Sequence, residues 1–227
     1  MRRQLQIKVI AGLLIGFAGI SGFVAWREAN LVIRHTEDPS FNFADLSRRP
    51  VEVGFSNYSR NLLIDDCLST ISSVYGRAQP QKKRELLLAA CSETAREIIS
   101  ETPSHGFAWF LRAFAAAELG DFDTFNQAMR MSHASSPFEL WLGQLRVQTA
   151  VRFYPSLDDQ SRANYASDIS VHLLTDRGSE KISSEMLRNA ALKKHVIDVA
   201  EKLPENVKWR LVEKMQQAAR TGRAVSP

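Results

Sequence analysis

Residues 61–75, NLLIDDCLSTISSVY, place Leu63, Ile64, Cys67, Leu68, Ile71, Val74 and Tyr75 at helical spacing, and residues 83–100 repeat the pattern with Leu87, Leu88, Cys91, Thr94, Ala95, Ile98 and Ile99. Such residues fall on one face because an α-helix turns once in about 3.6 residues. Between the two stretches, Gly76-Arg77-Ala78-Gln79-Pro80 supplies a glycine stop and a proline start, so the unit reads as an antiparallel helical hairpin. Cys67 and Cys91 are the only cysteines, and each lies 12 residues from Gln79 at the middle of the turn. They therefore stand at about the same height on facing apolar stripes. Their separation of 24 matches no zinc or thiol-redox motif. A disulfide across the hairpin is expected, of the kind that forms in an oxidising compartment. The alternative is a pair of buried thiols acting as small hydrophobes.

Towards the C-terminus the breakers Pro80, Pro103, Gly120, Pro137, Pro155, Gly178 and Pro204 recur with gaps of helix length. Residues 104–118 carry Phe107, Trp109, Phe110, Phe114 and Ala117, and Phe122, Phe125, Met129 and Ser132 follow Gly120-Asp121. Ser136-Pro137 is expected to open a helix with Leu140, Trp141, Leu145 and Val151, and Pro155-Ser156 one with Tyr165, Ile169 and Leu173. Ser183-Ser184-Glu185 and Pro204 are expected to open the last two. The predicted class is all-α, with about seven helices over residues 61–219 and a frayed tail at 220–227. Residues 27–60 contain Pro39, Pro50 and Gly54 and have weak periodicity, so they read as an extended spacer.

Upstream of that spacer, Val9 to Trp26 is a run of 18 residues without a formal charge, VIAGLLIGFAGISGFVAW. As a helix it would extend about 27 Å, enough to cross a bilayer. A cleaved signal peptide shares the basic-then-apolar pattern, but Phe23 is too large for the −3 position of the obvious cleavage site after Ala25. Residues 1–8 form a short tail with Arg2, Arg3 and Lys8, which places that tail in the cytoplasm and the rest of the chain outside it. In a bacterium this means a single-pass inner-membrane protein with a periplasmic C-terminal domain. Gly12-x-x-x-Gly16 and Ala18-x-x-x-Gly22 put small residues on one face of the span, as close helix contacts in membranes require.

The net charge of +4 comes largely from that tail: residues 27–227 hold 26 basic and 25 acidic side chains. A near-neutral domain gives no support to nucleic-acid binding. The five histidines are dispersed, with no H-E-x-x-H pair, and there is no G-x-S-x-G elbow, phosphate loop or dinucleotide turn. No metal, cofactor or catalytic residue is expected. Asp65-Asp66 and Asp158-Asp159 read as solvated or helix-terminal charges, since neighbours on a helix point in different directions. Lys193, Lys194, His195, Lys208, Arg210, Lys214, Arg220 and Arg223 make the last 50 residues mildly basic and a candidate contact for glycan.

The stretch from Pro103 to Pro137 resembles one tetratricopeptide repeat, a 34-residue helix-turn-helix unit. Trp109, the small Ala113, the turn Gly120-Asp121-Phe122 and the closing Pro137 fall at the family's positions, while Ala116, Phe125 and Trp141 depart from its pattern. The resemblance implies a helical-hairpin stack that binds a protein partner, with Arg112, Glu118, Asn126 and Arg130 on the less apolar sides as candidate contacts. A basic tail, one anchor and an exported helical-repeat domain are together similar to bacterial envelope proteins. This implies a non-enzymatic scaffold or adaptor in cell-envelope or surface-polysaccharide assembly, with an envelope or inner-membrane protein as partner. A chaperone-like accessory of the Sec translocon and a glycan-binding module are the alternatives.

Overall fold

A computed structural model describes residues 2–36, 38–48 and 52–224. The expected basic side chains of Arg2, Arg3 and Lys8, the breaker Pro50 and residues 225–227 of the expected tail lie outside what it describes. Among the described residues there are twelve α-helices and no strand. They form two compact units, Met1–Glu101 and Thr102–Pro227, so the helical domain expected over residues 61–219 is divided at Glu101.

The first unit comprises α1 (Arg2–Arg34), α2 (Pro39–Arg48), α3 (Asn57–Ser72), α4 (Val74–Ala78) and α5 (Gln81–Glu101). Within α1 the 25 residues Ile10–Arg34 are long and apolar enough to cross a membrane, and none of their most apolar window is buried. The helix does not stop at Trp26. Its last turns pack on the unit: Arg27 donates to the Val53 carbonyl at 2.8 Å and stacks over the Phe55 ring, and Glu28 accepts from the Phe55 and Ser56 backbone N–H groups. The described residues of 27–60 thus include the end of α1 and all of α2, where an extended spacer was expected. Asp38 accepts from the Ser40 N–H at 2.8 Å at the start of α2, Pro39 sits at the first helical position, and Phe43 and Leu46 are buried.

The α3–α5 hairpin carries a Cys67–Cys91 disulfide, with Cα atoms 5.9 Å apart and both residues fully buried among Leu63, Ile64, Leu88 and Ala95. Its turn is more structured than a glycine stop. Ser73 ends α3 and its hydroxyl accepts from the Gly76 N–H at 2.8 Å, so that Gly76 lies inside the short α4. Asp66, expected to be solvated, is partly buried and meets His35 Nδ1 at 2.8 Å. Burial raises its carboxyl above the ordinary range while the nearby His35 opposes that shift.

The second unit comprises α6 (Gly106–Leu119), α7 (Phe122–Ser135), α8 (Leu140–Arg152), α9 (Asp159–Leu174), α10 (Asp176–Met186), α11 (Ala190–Ala200) and α12 (Glu205–Ala224). Gly120 ends α6 at φ 79°, a left-handed conformation that costs a side-chain-bearing residue about 1 kcal/mol or more. Asp121 then caps α7 by accepting from the Thr124 N–H at 3.1 Å, and that contact holds its carboxyl below the usual range. Ala113, Ala116 and Ala117 are buried and let the two helices close on Phe110 and Phe125.

Three helix starts differ from expectation. Ser136 is the C-cap of α7, its N–H bonded to the Ser132 carbonyl, and α8 begins only at Leu140. Pro155 lies in a single 3-10 turn, Tyr154–Ser156, and Asp158 caps α9 by accepting from the Ser161 N–H at 2.7 Å. Ser183 is buried in the middle of α10, and Asn189 instead caps α11, accepting from the Leu192 N–H at 3.1 Å. Of the tail expected at 220–227, the described residues 220–224 are helical, because α12 continues to Ala224.

Candidate functional site

The face that α8 turns inward carries Leu142, Arg146, Val147 and Ala150, and α9 opposes it with Tyr165, Asp168, Ile169 and His172. Each stripe thus contains one charge of opposite sign. Arg146 is 1% exposed and Asp168 2%, and they form a bidentate pair: Nε donates to Oδ2 at 2.8 Å and Nη2 to Oδ1 at 2.6 Å. The remaining guanidinium hydrogens reach the carbonyls of Ser132 at 3.4 Å and Ser136 at 3.2 Å, which ties α7 and its cap to α8. His133 Nδ1 lies 3.2 Å from Asp168 Oδ1, and the Ser132 hydroxyl donates to the Gly106 carbonyl at 2.9 Å. The network orders α6 to α9 around one buried carboxylate. The periodicity reading pointed to neither Arg146 nor Asp168, the charged pair at its centre.

His172 is buried and its Nδ1 lies 2.8 Å from the Asp168 carbonyl oxygen, which can only accept. Nδ1 therefore carries a hydrogen, and in the neutral ring Nε2 is an acceptor. That Nε2 has no hydrogen-bond partner among the described residues. His172 lines a cleft of about 340 Å³ together with Phe138, Leu140 and Trp141 at the start of α8 and Arg177, Gly178 and Lys181 from the first turns of α10. Gly178 is required there, because a Cβ would meet the His172 carbonyl oxygen at 2.4 Å, so only glycine lets α10 start this close to the end of α9. Trp141 is held edge-on to Phe107 with centroids 4.8 Å apart, and its indole N–H donates to Glu139 at 2.6 Å. Glu139 spends an oxygen on the indole and fixes the ring at the mouth.

A second polar contact lies between α9, α11 and the 3-10 turn. Tyr165 Oη is 3.1 Å from His195 Nδ1, and Tyr154 stacks on the His195 ring at 4.1 Å. Burial raises the Tyr165 phenol above its ordinary value and lowers the His195 imidazole below its own. Both shifts favour neutral side chains, as expected for a packed contact. Among the described residues no group of three His, Cys, Asp or Glu side chains is placed to hold a metal ion.

The four residues proposed for partner contact are used largely inside the fold. Asn126 is buried, donates to the Phe122 and Ser156 carbonyls at 2.8 Å each and accepts from the Asp158 N–H at 3.0 Å, so it anchors the 3-10 turn and is no contact surface. The Glu118 carboxylate is only 8% exposed and pairs with Arg152. Arg130 pairs with Asp158, and Arg112 lies over the Trp109 ring at 5.7 Å. Arg130 and Arg112 keep some exposure, whereas Asn126 and the Glu118 carboxylate keep little. Their polar side chains were read as outward-facing, whereas turns and helix ends consume them. Of the aromatic residues between Pro103 and Pro137, Phe107, Phe110 and Phe125 are buried, Trp109 and Phe114 half-buried and Phe122 exposed. No family model matches the chain, and no curated protein and no solved structure matches it either.

Proposed function

We propose that the protein is a non-enzymatic, single-pass membrane adaptor whose helical units stand outside the cytoplasm and bind an envelope or inner-membrane protein. The observation that carries this reading is α1: Leu13, Leu14, Ile15 and Phe17 are all exposed, on a helix of the length a bilayer needs. Apolar side chains in such number are tolerated on an exposed helix when lipid or another helix covers them. The disulfide between α3 and α5 supports an oxidising location for the units that follow. The helix-turn-helix of α6 and α7 supports a tetratricopeptide-like stack, a class that presents helix faces to proteins.

The test is site-specific photocrosslinking in the native membrane, with probes at Arg112 and Arg130, followed by mass spectrometry of the captured proteins and of the chain's own N-terminus. Recovery of one envelope protein from both probes, with residues 1–26 intact, is the expected result. A mature N-terminus beyond Ser21, or probes that capture nothing while the chain is present in the membrane fraction, rejects the anchored adaptor.

A further inference from the structure

The cleft between α8, α9 and α10 combines three features that suit a polar ligand. His172 is one of its lining residues, and its Nε2 is buried with no hydrogen-bond partner among the described residues. A buried polar atom left unpaired is destabilising, and a ligand hydroxyl would remove that cost. Its rim holds Arg177 and Lys181, and neither cation is engaged in any hydrogen bond or ion pair among the described residues, although Asp176 beside them is taken by Lys214. Its wall holds Trp141 and Phe138, the latter 80% exposed, with the indole oriented through Glu139. At about 340 Å³ the cleft lies at the small end of ligand pockets, which run from roughly 300 Å³ upward.

We propose that this cleft binds an acidic sugar, its carboxylate or phosphate held by Arg177 and Lys181, a ring hydroxyl donating to His172 Nε2, and the sugar's C–H face lying against Trp141. Each element of the ligand answers one element of the cleft. An oxyanion matches a guanidinium and an ammonium on successive turns of α10, with the Arg fork suited to two parallel hydrogen bonds. A hydroxyl matches an imidazole nitrogen that accepts. A ring with apolar C–H groups and polar edges matches an aromatic wall between polar ends. An apolar ligand would leave both cations and Nε2 unmatched, and a bare inorganic anion would leave the wall empty. The proposal stands apart from the adaptor reading, and either can fail alone.

Calorimetric titration of the full chain in a sugar-free detergent tests it, with glucuronate, glucose 1-phosphate, glucose and inorganic phosphate as ligands. Saturable 1:1 binding of glucuronate or glucose 1-phosphate is expected, with glucose at least about tenfold weaker, equivalent to about 1.4 kcal/mol. Preference between the two acidic sugars identifies the anion as carboxylate or phosphate. The exposed double variant Arg177→Gln/Lys181→Gln is expected to melt as the parent does and to bind at least about tenfold more weakly. His172→Phe removes the acceptor and is expected to weaken binding while leaving the rim intact; if it does not fold, the rim variant decides alone. Three results overturn the proposal: no saturable heat with either acidic sugar up to about 10 mM, undiminished affinity in the rim variant, or inorganic phosphate binding as tightly as glucose 1-phosphate.

Discussion

Replacing Arg146 by Met tests whether the buried pair organises the second unit. Asp168 accepts two charge-assisted hydrogen bonds from Arg146, at 2.6 and 2.8 Å, and among the described residues its carboxylate has only His133 at 3.2 Å besides. With both side chains within 3% of full burial, solvent cannot replace the lost partner. Breaking a buried pair from one side costs about 3–5 kcal/mol, because the surviving charge is left uncompensated. Asp168→Leu strands the guanidinium with only carbonyl and hydroxyl acceptors on Ser132 and Ser136, and the same magnitude is expected. The double variant Arg146→Met/Asp168→Leu removes both charges and fills similar volume, so it is expected to lie within about 2 kcal/mol of the parent. Urea titrations of the full chain, followed by tryptophan fluorescence and far-UV circular dichroism, give the three differences. A coupling of at least about 3 kcal/mol follows from those values. Single variants that each cost under about 1 kcal/mol, or losses that simply add in the double variant, would refute the reasoning.

Other perturbations bear on separate parts of the fold. Reducing the Cys67–Cys91 bridge, which closes a 24-residue separation, is expected to cost about 3 kcal/mol from the restored freedom of the unfolded chain; melts with and without reductant measure it, and equal melting temperatures contradict it. Gly120→Ala is expected to lose about 1 kcal/mol through backbone strain alone, since a Cβ there meets nothing within 4 Å; an unchanged or higher melting temperature speaks against the strain. The lowered His195 value means that the unfolded chain takes up a proton first as pH falls below about 6.5, so the contribution of this group is full above that pH and is lost on acidification through the folded value. His195→Phe keeps a ring against Tyr154 and should flatten the stability profile between about pH 5 and 7; an unaltered slope would exclude the group.

What was legible in the sequence follows from what periodicity records. Cys67 and Cys91 stood out because both sit on apolar stripes at equal distances from a turn, and the structure bridges them. The apolar run before Arg27 stood out because charge is absent from it. Arg146 and Asp168 did not, since a pattern reading sends charges outward. Yet Arg146 lies four residues from Leu142 and next to Val147, and Asp168 lies between Tyr165 and His172 on a helical stripe. Opposite charges on two consecutive apolar stripes were the available signal. The cleft was less legible still, because Trp141, His172 and Arg177 come from three helices and meet only once those helices pack. Proline misled at 137 and 155, where it serves turns and not first helical positions, and Asp38-Pro39 was a true helix start hidden in a stretch with few apolar residues. Of the four proposed contacts, Asn126 shows the general difficulty: an amide is equally at home in water and as a clasp on a buried turn.

The run of α1 through Arg34 has a mechanical consequence. A chain tethered by a random coil of some thirty residues would sample a volume with a root-mean-square reach of roughly 30 Å. Here the helix that carries the apolar segment continues unbroken into its contacts with Val53, Phe55 and Ser56. With α1 set in a bilayer, the first unit is a handle on a shaft: it rides close to the lipid surface, and any tilt or rotation of the shaft turns it by the same angle. A neighbour that grips the buried end of that shaft would thereby steer what the exposed end presents.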